Sequence, residues 1–264
     1  MKRRQWIELH EQTWCPAAIR NAVTDFFRFI ASAGDPYRDV VPRLAWALER
    51  SGAARIIDLC SGSGGPWLNL TRSLARNGQS LPVVLTDRHP NEYAFRFVHA
   101  ASGGKLEYVL EPVDATCVPE RFRGFRTIFG AFHHFEPDRA RALLQNAVDQ
   151  KQGIGIFEPV SRSGAHLFAI FFTSLMTLLV LPWIRPFRFS RLFWTYCVPI
   201  IPCVILFDGV VSCLRSYSTS ELRALVNTLK GVNYDWEIGK VRIPRSPVSA
   251  TYLIGVPRPA VTEV

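Results

Sequence analysis

A glycine turn and the acidic residue before it are the part of this sequence best suited to binding chemistry. Residues 53–65 form a short apolar run that ends at Asp58 and a turn that contains Gly62 and Gly64, and a helical pattern begins at Trp67. Glycine lets a ligand approach the backbone, and the start of a helix offers free N–H groups to an anion. A carboxylate repels pyrophosphate but attracts an ammonium or sulfonium group. The turn therefore predicts a nucleotide-like ligand that carries positive charge.

This pattern resembles the first motif of the class I S-adenosylmethionine-dependent methyltransferases, in which an acidic residue is followed by Gly-x-Gly. The dinucleotide pattern Gly-x-Gly-x-x-Gly does not fit, because Trp67 stands where its third glycine would be. The resemblance implies that S-adenosylmethionine (SAM) is the cofactor and that Asp58, Cys60, Gly62 and Gly64 hold it. A tight turn that binds no ligand is the alternative.

Two further acidic residues follow apolar runs in the order that this family requires. The run 81–86 ends at Asp87, and a carboxylate at the end of the second strand can accept hydrogen bonds from both ribose hydroxyls. Asp114 and Ala115 follow the next run, and the resemblance places this pair beside the adenine. The predicted cofactor contacts are completed by Arg88 and Ala131. The resemblance covers residues 53–160 and, more loosely, 217–258.

Three residues at the ends of later strands are candidates for catalysis. His133 and His134 follow the predicted fourth strand, and imidazole titrates near neutrality, which suits a general base. Extended backbone points successive side chains to opposite faces, so we expect only one of them, His134, to face the methyl group. Glu158 ends the fifth strand, and Asp208 lies just after a later apolar segment; either could act as a base or bind a substrate amine. The alternative for all four is a structural hydrogen bond.

Strands that alternate with helices must position these residues. Apolar runs near 54–58, 81–86, 106–110, 127–132 and 153–157 alternate with helical patterns at 67–77, 89–101 and 137–150, and a hairpin follows at 234–243 and 250–256. We therefore expect an α/β, Rossmann-like fold with a seven-stranded, mostly parallel sheet and right-handed crossovers. Ligands bind beyond the carboxyl ends of such strands, where the predicted site residues lie.

The chain divides into four predicted parts. Residues 1–52 form an N-terminal helical cap, 53–160 the SAM-binding core, 161–216 a hydrophobic helical insertion after the fifth strand, and 217–264 the C-terminal part of the core. In the cap, apolar residues at helical spacing predict the buried stripe of a helix: Ile19, Val23, Phe26, Phe27 and Ile30. The cap closes over the cofactor in one interpretation and packs on the edge of the sheet in the other. Candidate aromatic residues of a lid are Trp6, Trp14 and Tyr37.

The insertion is the second unusual feature. Residues 165–184 carry no formal charge if His166 is neutral, and a helix of 20 residues spans about 30 Å, the thickness of a bilayer core. A basic, aromatic stretch follows at 185–191, and then an apolar stretch at 192–207 that Pro199 and Pro202 interrupt. Three interpretations stay open: a lid over an apolar substrate, a membrane-associated hairpin at 165–207, or extra core or a dimer interface.

Composition narrows the cellular setting and the cofactors. The chain has 264 residues, a formal net charge of +9 and six cysteines. No cysteine pair or histidine stands at metal-ligand spacing, so the sequence predicts no metal site. We expect reduced, buried thiols in a cytoplasmic protein, and a peripheral or embedded position at the cytoplasmic membrane is left open. Basic residues cluster at 2–4, 121–126, 185–191 and 242–245, including Arg126 and Arg191. These clusters suit an anionic membrane, an acidic substrate or nucleic acid, and scattered solvated arginines are the alternative.

The predicted function is SAM-dependent methylation of a small, apolar or lipid-like acceptor, with the accepting atom (O, N, S or C) unresolved. One alternative is a membrane-associated binding or scaffold protein that keeps a degenerate SAM site. Another is an RNA or DNA methyltransferase, but the enzymes that methylate exocyclic amino groups of bases typically carry an Asp/Asn-Pro-Pro-aromatic motif where this chain has residues 130–133, Gly-Ala-Phe-His. The oligomeric state stays open.

Overall fold

Seven strands form one sheet in the residues that the computed structural model describes, 2–231, 233–244, 246 and 248–258. In chain order they are β1 Ile56–Asp58, β2 Val83–Leu85, β3 Leu106–Tyr108, β4 Phe125–Phe129, β5 Ile154–Glu158, β6 Tyr234–Arg242 and β7 Ser249–Pro257. Their order across the sheet is β3-β2-β1-β4-β5-β7-β6. Strands β1 to β5 are parallel, and β7 lies antiparallel between β5 and β6, which confirms the predicted fold class.

Helices connect and cover these strands. In chain order they are α1 Ala17–Gly34, α2 Val41–Ser51, α3 Trp67–Arg76, α4 Glu92–Ala101, α5 Pro137–Asp149, α6 Gly164–Val180, α7 Phe189–Leu192, α8 Ile200–Arg215 and α9 Thr219–Val226. Helix α4 begins three residues later than predicted because the Asn91 side chain caps it by accepting a hydrogen bond from the Ala94 N–H. The predicted capping box of Ser218 and Glu221 starts α9.

An apolar stripe on each core helix explains the packing. In α3, Trp67, Leu70 and Leu74 stand three and four residues apart, are all buried, and belong to the cluster that covers one face of the sheet. Strand β1 is buried along its whole length, as expected for a central strand of a parallel sheet. The core therefore holds the carboxyl end of β1 at a fixed position.

The N-terminal helix packs against the insertion, and closure of the cap over the cofactor stays a prediction. Ile19, Val23 and Phe26 of α1 form a third hydrophobic cluster with residues of the insertion, including Leu181 and Ile205. Phe27, predicted for the buried stripe, is 41% exposed. The cap and the insertion are therefore in contact, while the four predicted boundaries stay predictions.

Of the three aromatic residues predicted for a lid, Tyr37 does not have that role. Its side chain is buried in the main core with its ring edge on Phe129, at a centroid distance of 4.9 Å. It therefore supports the sheet, and the ring is not available to cover a ligand. Trp6 and Trp14 are exposed, so a lid role for these two stays a prediction.

The second arm of the insertion departs from its predicted form. Pro199 marks a break where the segment Phe189–Cys197 and α8 meet at 81°, but Pro202 is tolerated in the first turn of α8, where no helical N–H partner is needed. Helix α8 continues past Phe207 to Arg215, so Asp208 lies in a helix rather than just after one. By length and composition, Gly164–Trp183 is a candidate membrane span, and the bent pair is a broken candidate.

Two predictions about surface residues are corrected by burial. Arg126 was grouped with exposed basic residues, but it is fully buried in β4, where Asn146 and Gln150 accept its hydrogen bonds and burial lowers its pKa to about 10. Buried thiols were expected throughout, but three cysteines are exposed: Cys117, Cys197 and Cys203. All six cysteines are free.

Candidate functional site

The turn after β1 has backbone angles that favour glycine. Gly62 and Gly64 have φ of 57° and 95°, and a Cβ added at Gly64 would lie 3.0 Å from Val98. Cys60 adopts φ of 56° although it is not a glycine. Because L-residues occupy this region at a cost of about 1 kcal/mol or more, the turn stores strain at Cys60. The predicted glycine turn is therefore present, and Cys60 is its strained residue.

Asp58 stabilises this turn through hydrogen bonds to its side chain. It is only 2% exposed; Ser61 Oγ donates to Asp58 Oδ2 and Thr127 Oγ1 donates to Asp58 Oδ1, both at 2.6 Å. Burial raises the pKa of Asp58 to about 6, although these hydroxyl hydrogen bonds oppose the shift. In this arrangement the carboxylate holds β1, β4 and the turn together. Direct contact between Asp58 and a cofactor ammonium stays a prediction.

Asp87 joins the turn to the end of β2. The Gly62 N–H donates to Asp87 Oδ2 at 2.7 Å, and the His89 N–H donates to Asp87 Oδ1 at 2.8 Å. Each carboxylate oxygen has a second lone pair, so Asp87 can still accept hydrogen bonds from a ribose diol. Arg88 is exposed beside it.

The remaining predicted cofactor residues lie at the same edge of the sheet. The Val113 N–H donates to the Asp87 carbonyl at 2.9 Å, which brings Asp114 and the buried Ala115 next to the end of β2. Thr116 donates to Asp114 Oδ1 through both its N–H and its hydroxyl, and these bonds outweigh desolvation and lower the pKa of Asp114. Ala131 is buried just beyond β4.

Cys60 lies in the middle of these carboxylates. Burial is the largest cause that raises the pKa of its thiol well above the ordinary value, and the charges of Asp87, Asp58 and Asp114 add to it. The edge therefore combines a glycine turn with three acidic side chains. Carboxylates suit the hydroxyl groups of a ribose and the positive charge of a sulfonium or ammonium group, so the residues present fit SAM.

A buried polar network connects this turn to the cap and the insertion, and no local pattern in the sequence indicates it. Ser63 Oγ lies 2.8 Å from both Asp25 Oδ1 and Thr24 Oγ1, and Asn91 donates to it at 3.1 Å. Asp25 Oδ2 also accepts a 2.5 Å ion-pair hydrogen bond from Arg191. Asp25 and Arg191 are both buried, so Arg191, predicted as part of a basic surface, is instead a structural residue.

The prediction that the two histidines point to opposite faces is wrong. Residues Phe132–His134 form a 3₁₀ turn rather than extended strand, so both imidazoles lie on one side with ring centroids 4.2 Å apart. His133 Nδ1 contacts Glu158 Oε2 at 2.7 Å, and the Phe132 N–H donates to Glu158 Oε1. His133 and Glu158 are buried, which makes Glu158 a support for the turn. Their catalytic roles stay predictions.

A second acidic group surrounds the histidines, and we call it the Glu8 cluster: Glu8, His10, Glu11, His134, Asp208 and Arg215. Burial opposes charge on His134, but the carboxylates of Glu8 and Glu11 outweigh it and raise the pKa of His134 well above its ordinary value. The same contact overcomes the burial of Glu11 and lowers its pKa to about 2. No spacing in the sequence reveals the cluster, because its members come from three distant segments.

Solved structures share this fold. The plantazolicin methyltransferase BpumL, solved with SAH, is 11% identical at a TM-score of 0.59, with 95% of each chain covered. A putative O-methyltransferase from Nostoc punctiforme is 10% identical at 0.51, with 92% of this chain and 60% of that chain covered. A structure described as putative Zn-dependent alcohol dehydrogenases from Rhodobacter sphaeroides is 13% identical at 0.51, with 92% and 98% covered. No family model and no curated protein matches the sequence.

The chain has the Rossmann-like fold of the class I SAM-dependent methyltransferases. The antiparallel β7 between β5 and β6 distinguishes this sheet from the dinucleotide-binding order 3-2-1-4-5-6. Together with the acidic residue and glycine turn after β1, this topology confirms the fold implied by the sequence motif. At these identities the similarity shows the fold alone.

Proposed function

We propose that this protein is a SAM-dependent methyltransferase that acts on a small apolar or amphipathic acceptor. The observation that carries the proposal is the Asp87 side chain bonded to the Gly62 N–H, which fixes an acidic residue and a glycine turn at the edge where ligands bind in such sheets. The turn follows β1, and strand order reverses between β1 and β4, the point at which open sheets of this kind bind ligands. BpumL, whose structure holds SAH, supports the cofactor.

SAM supplies an activated methyl group, which leaves its sulfur as the bond to the acceptor forms. The chain's contribution is to hold the acceptor in line with that bond and to exclude water, which can supply several kcal/mol. An O–H, N–H or S–H acceptor must also lose a proton. His133, His134 and Glu158 all lie at the carboxyl ends of β4 and β5. Because burial is outweighed by neighbouring carboxylates, which raise the pKa of both imidazoles and favour their protonated form, Glu158 is the proposed candidate to receive this proton.

Thermal unfolding with and without S-adenosylhomocysteine tests the cofactor. A ligand at 100 times its dissociation constant stabilises the folded state by about 2.7 kcal/mol, a shift of very roughly 5–10 °C for this chain. Asp87→Ala should lose this shift, while Asp235→Ala, on the far strand β6, should keep it. If the wild type shows no shift while folded, the scaffold alternative replaces the enzyme.

The insertion supports the choice of an apolar acceptor. Helix α6 buries His166, Ser174 and Thr177 and turns its apolar side chains outward. Fourteen of the 21 large hydrophobic side chains that are exposed in the described residues lie at 165–207, including Trp183 at 75% and Phe189 at 80%. A polar side that faces the protein and an apolar side that faces out are unusual for a helix surrounded by water.

A lipid surface is the environment we propose for this face, at the cytoplasmic side of the membrane. Trp183 and Phe189 flank the exposed Arg185, and aromatic and basic side chains together suit the headgroup region. An enzyme docked in this way could take a lipophilic acceptor directly from the bilayer. Burial of Arg126 and Arg191 removes two arginines from the basic surface that nucleic acid would need.

Flotation with vesicles of phosphatidylcholine and phosphatidylglycerol tests the docking. Replacing both Trp183 and Phe189 with Ser should weaken vesicle binding by about 100-fold, at about 1.5 kcal/mol for each side chain. Trp46→Ser, an exposed tryptophan on α2, is the matched control and should leave binding unchanged. A wild type that stays monomeric and unbound to vesicles would favour the lid interpretation, while the SAH experiment would still decide the cofactor.

A further inference from the structure

A buried carboxylate oxygen in the Glu8 cluster has no hydrogen-bond partner among the described residues. Glu8 is fully buried, and its Oε2 lies 3.3 Å from His134 Nδ1 and 3.8 Å from His10 Nδ1. His134 Nδ1 is also 2.9 Å from Glu11 Oε1, yet its geometry makes no hydrogen bond to either carboxylate. Buried polar atoms are rarely left unpaired, because desolvation costs about 1–3 kcal/mol. These atoms therefore converge at ion-pair distances but without hydrogen-bond geometry.

The neighbours of these carboxylates hold their other oxygens. Ser212 Oγ donates to Glu8 Oε1 at 3.0 Å, and Arg215 Nη1 contacts Glu8 Oε1 at 3.2 Å and Glu11 Oε2 at 2.6 Å. One oxygen of each glutamate is thus fixed by α8, and the other faces His134. Metal-ligating carboxylates are commonly oriented by such outer contacts.

Asp208 adds a third carboxylate on the other side. The Leu9 N–H donates to Asp208 Oδ1 at 2.6 Å, and the His10 N–H donates to Oδ2 at 3.0 Å. His10 Nδ1 lies 2.7 Å from the same Oδ2. A cation bound here would take the place of a proton between His10 and Asp208.

The distances between these atoms fit a coordination shell. Oxygen and nitrogen ligands bind first-row divalent ions at about 2.0–2.2 Å, so neighbouring ligand atoms lie about 2.8–3.6 Å apart in octahedral and tetrahedral geometries. The spacings from Glu8 Oε2 and Glu11 Oε1 to His134 Nδ1 lie in this range, and those from His10 Nδ1 lie close to it. Glu8, His10 and His134 each offer one ligand atom, and these atoms lie within 4.8 Å of one another.

Charge points the same way. With neutral imidazoles, the carboxylates of Glu8, Glu11 and Asp208 carry three negative charges, and Arg215 supplies one positive charge. The balance is then two positive charges short, and either one divalent cation or protonation of both imidazoles can supply them. A buried excess of negative charge is costly unless a cation neutralises it.

We propose that Glu8, His10 and His134 bind a divalent first-row transition-metal ion, with Glu11 or Asp208 completing its shell. The mixture of imidazole and carboxylate ligands favours ions of the zinc or manganese type over magnesium. The ion would fasten residues 8–11 to the 3₁₀ turn after β4 and to α8. The site does not depend on the proposed methyl transfer. The sequence pattern predicted no metal, and spacing could not suggest this site because His10 and His134 are 124 residues apart in sequence.

Metal content of the purified full chain tests the proposal. After removal of metals with a chelator, incubation with Zn²⁺ or Mn²⁺ and desalting, we expect one equivalent per chain by elemental analysis and a higher unfolding midpoint. His10→Ala should weaken uptake at least about tenfold, since it removes a ligand. His89→Ala, which removes an exposed imidazole elsewhere, should leave uptake unchanged.

Each other outcome counts against the site. If the wild type takes up neither ion, protonated histidines balance the charge instead and the proposal is wrong. Equal uptake by His10→Ala and the wild type would mean adventitious binding. If near-ultraviolet circular dichroism shows that His10→Ala is unfolded, Ser212→Ala takes its place, because it removes only the hydroxyl that holds Glu8 Oε1. We expect about tenfold weaker binding in that variant, and unchanged binding would overturn the proposal.

Discussion

The cofactor edge and the Glu8 cluster both lie at the carboxyl ends of the strands, but they are assembled differently. At the cofactor edge, the oxygens of Asp58 and Asp87 accept hydrogen bonds from the turn and from the strand ends beside it. In the Glu8 cluster the groups come from the N-terminus, the turn after β4 and α8, and Glu8 Oε2 is unpaired among the described residues. At the cofactor edge, protein groups satisfy the carboxylate oxygens. In the Glu8 cluster, a cation or added protons are needed to balance the carboxylates.

The largest expected effect concerns the contact that joins the insertion to the cofactor edge. Arg191→Met leaves the buried Asp25 carboxylate without its ion-pair partner and should lower the free energy of unfolding by about 3–5 kcal/mol. Urea unfolding measures this loss. Arg185→Met, an exposed arginine of the same segment, should change stability by less than about 0.5 kcal/mol.

Equal stability of these two variants would mean that the insertion is only loosely attached. The turn, through Ser63 and Asp25, would then be independent of the insertion. In that case the stability of the cofactor edge would not depend on the insertion. Docking of the insertion on a membrane would then leave the cofactor edge unchanged.

The next effect depends on pH and on Asp58. Its folded-state pKa of about 6 lies above the ordinary 3.8, so the carboxyl is protonated in both states below pH 3.8 and the folded state bears the full cost of ionisation above pH 6. Asp58→Asn removes that cost. We expect the variant to equal the wild type near pH 4 and to be more stable at pH 7.5, by at most about 3 kcal/mol.

Chemical unfolding at the two pH values measures the difference. Asp138→Asn, on the exposed face of α5, is the control and should differ from the wild type by less than about 0.5 kcal/mol at both. If Asp58→Asn is less stable at pH 7.5, the ionised carboxylate contributes more through its hydroxyl hydrogen bonds than burial costs. The ionised Asp58 would then stabilise the cofactor edge even without a ligand.

The smallest effect concerns the strain in the turn. Cys60→Gly releases a left-handed residue and should stabilise the protein by about 1 kcal/mol, reduced by the greater freedom of glycine in the unfolded chain. Thermal unfolding measures it, and Cys117→Gly provides a control at an exposed cysteine without positive φ. A loss of stability at position 60 would show that packing of the thiol outweighs the strain.

Local sequence was enough to predict the alternation of strands and helices and the glycine turn after β1, while the cofactor roles of the residues there stay predictions. A run of apolar residues followed by Asp and glycine specifies a strand and a turn through neighbours only a few positions apart. The boundaries were less accurate: β2 has three residues rather than the predicted six, because strand pairing with β1 and β3, and not apolar character, sets its length. The 3₁₀ turn at His133 and His134 was also missed, because pairing of β4 with β5 ends at Phe129 and the apolar residues beyond it do not continue the strand.

The sequence by itself determined the sheet, the glycine turn, the acidic residues Asp58, Asp87 and Asp114, and the apolar character of the insertion. These follow from periodicity and from residues that are close along the chain. Only the tertiary structure decided that α1 packs on the insertion, that Arg191 pairs with Asp25, and that Glu8, His10 and His134 meet. Such contacts join segments more than 100 residues apart, and their energies depend on burial, which no local pattern specifies.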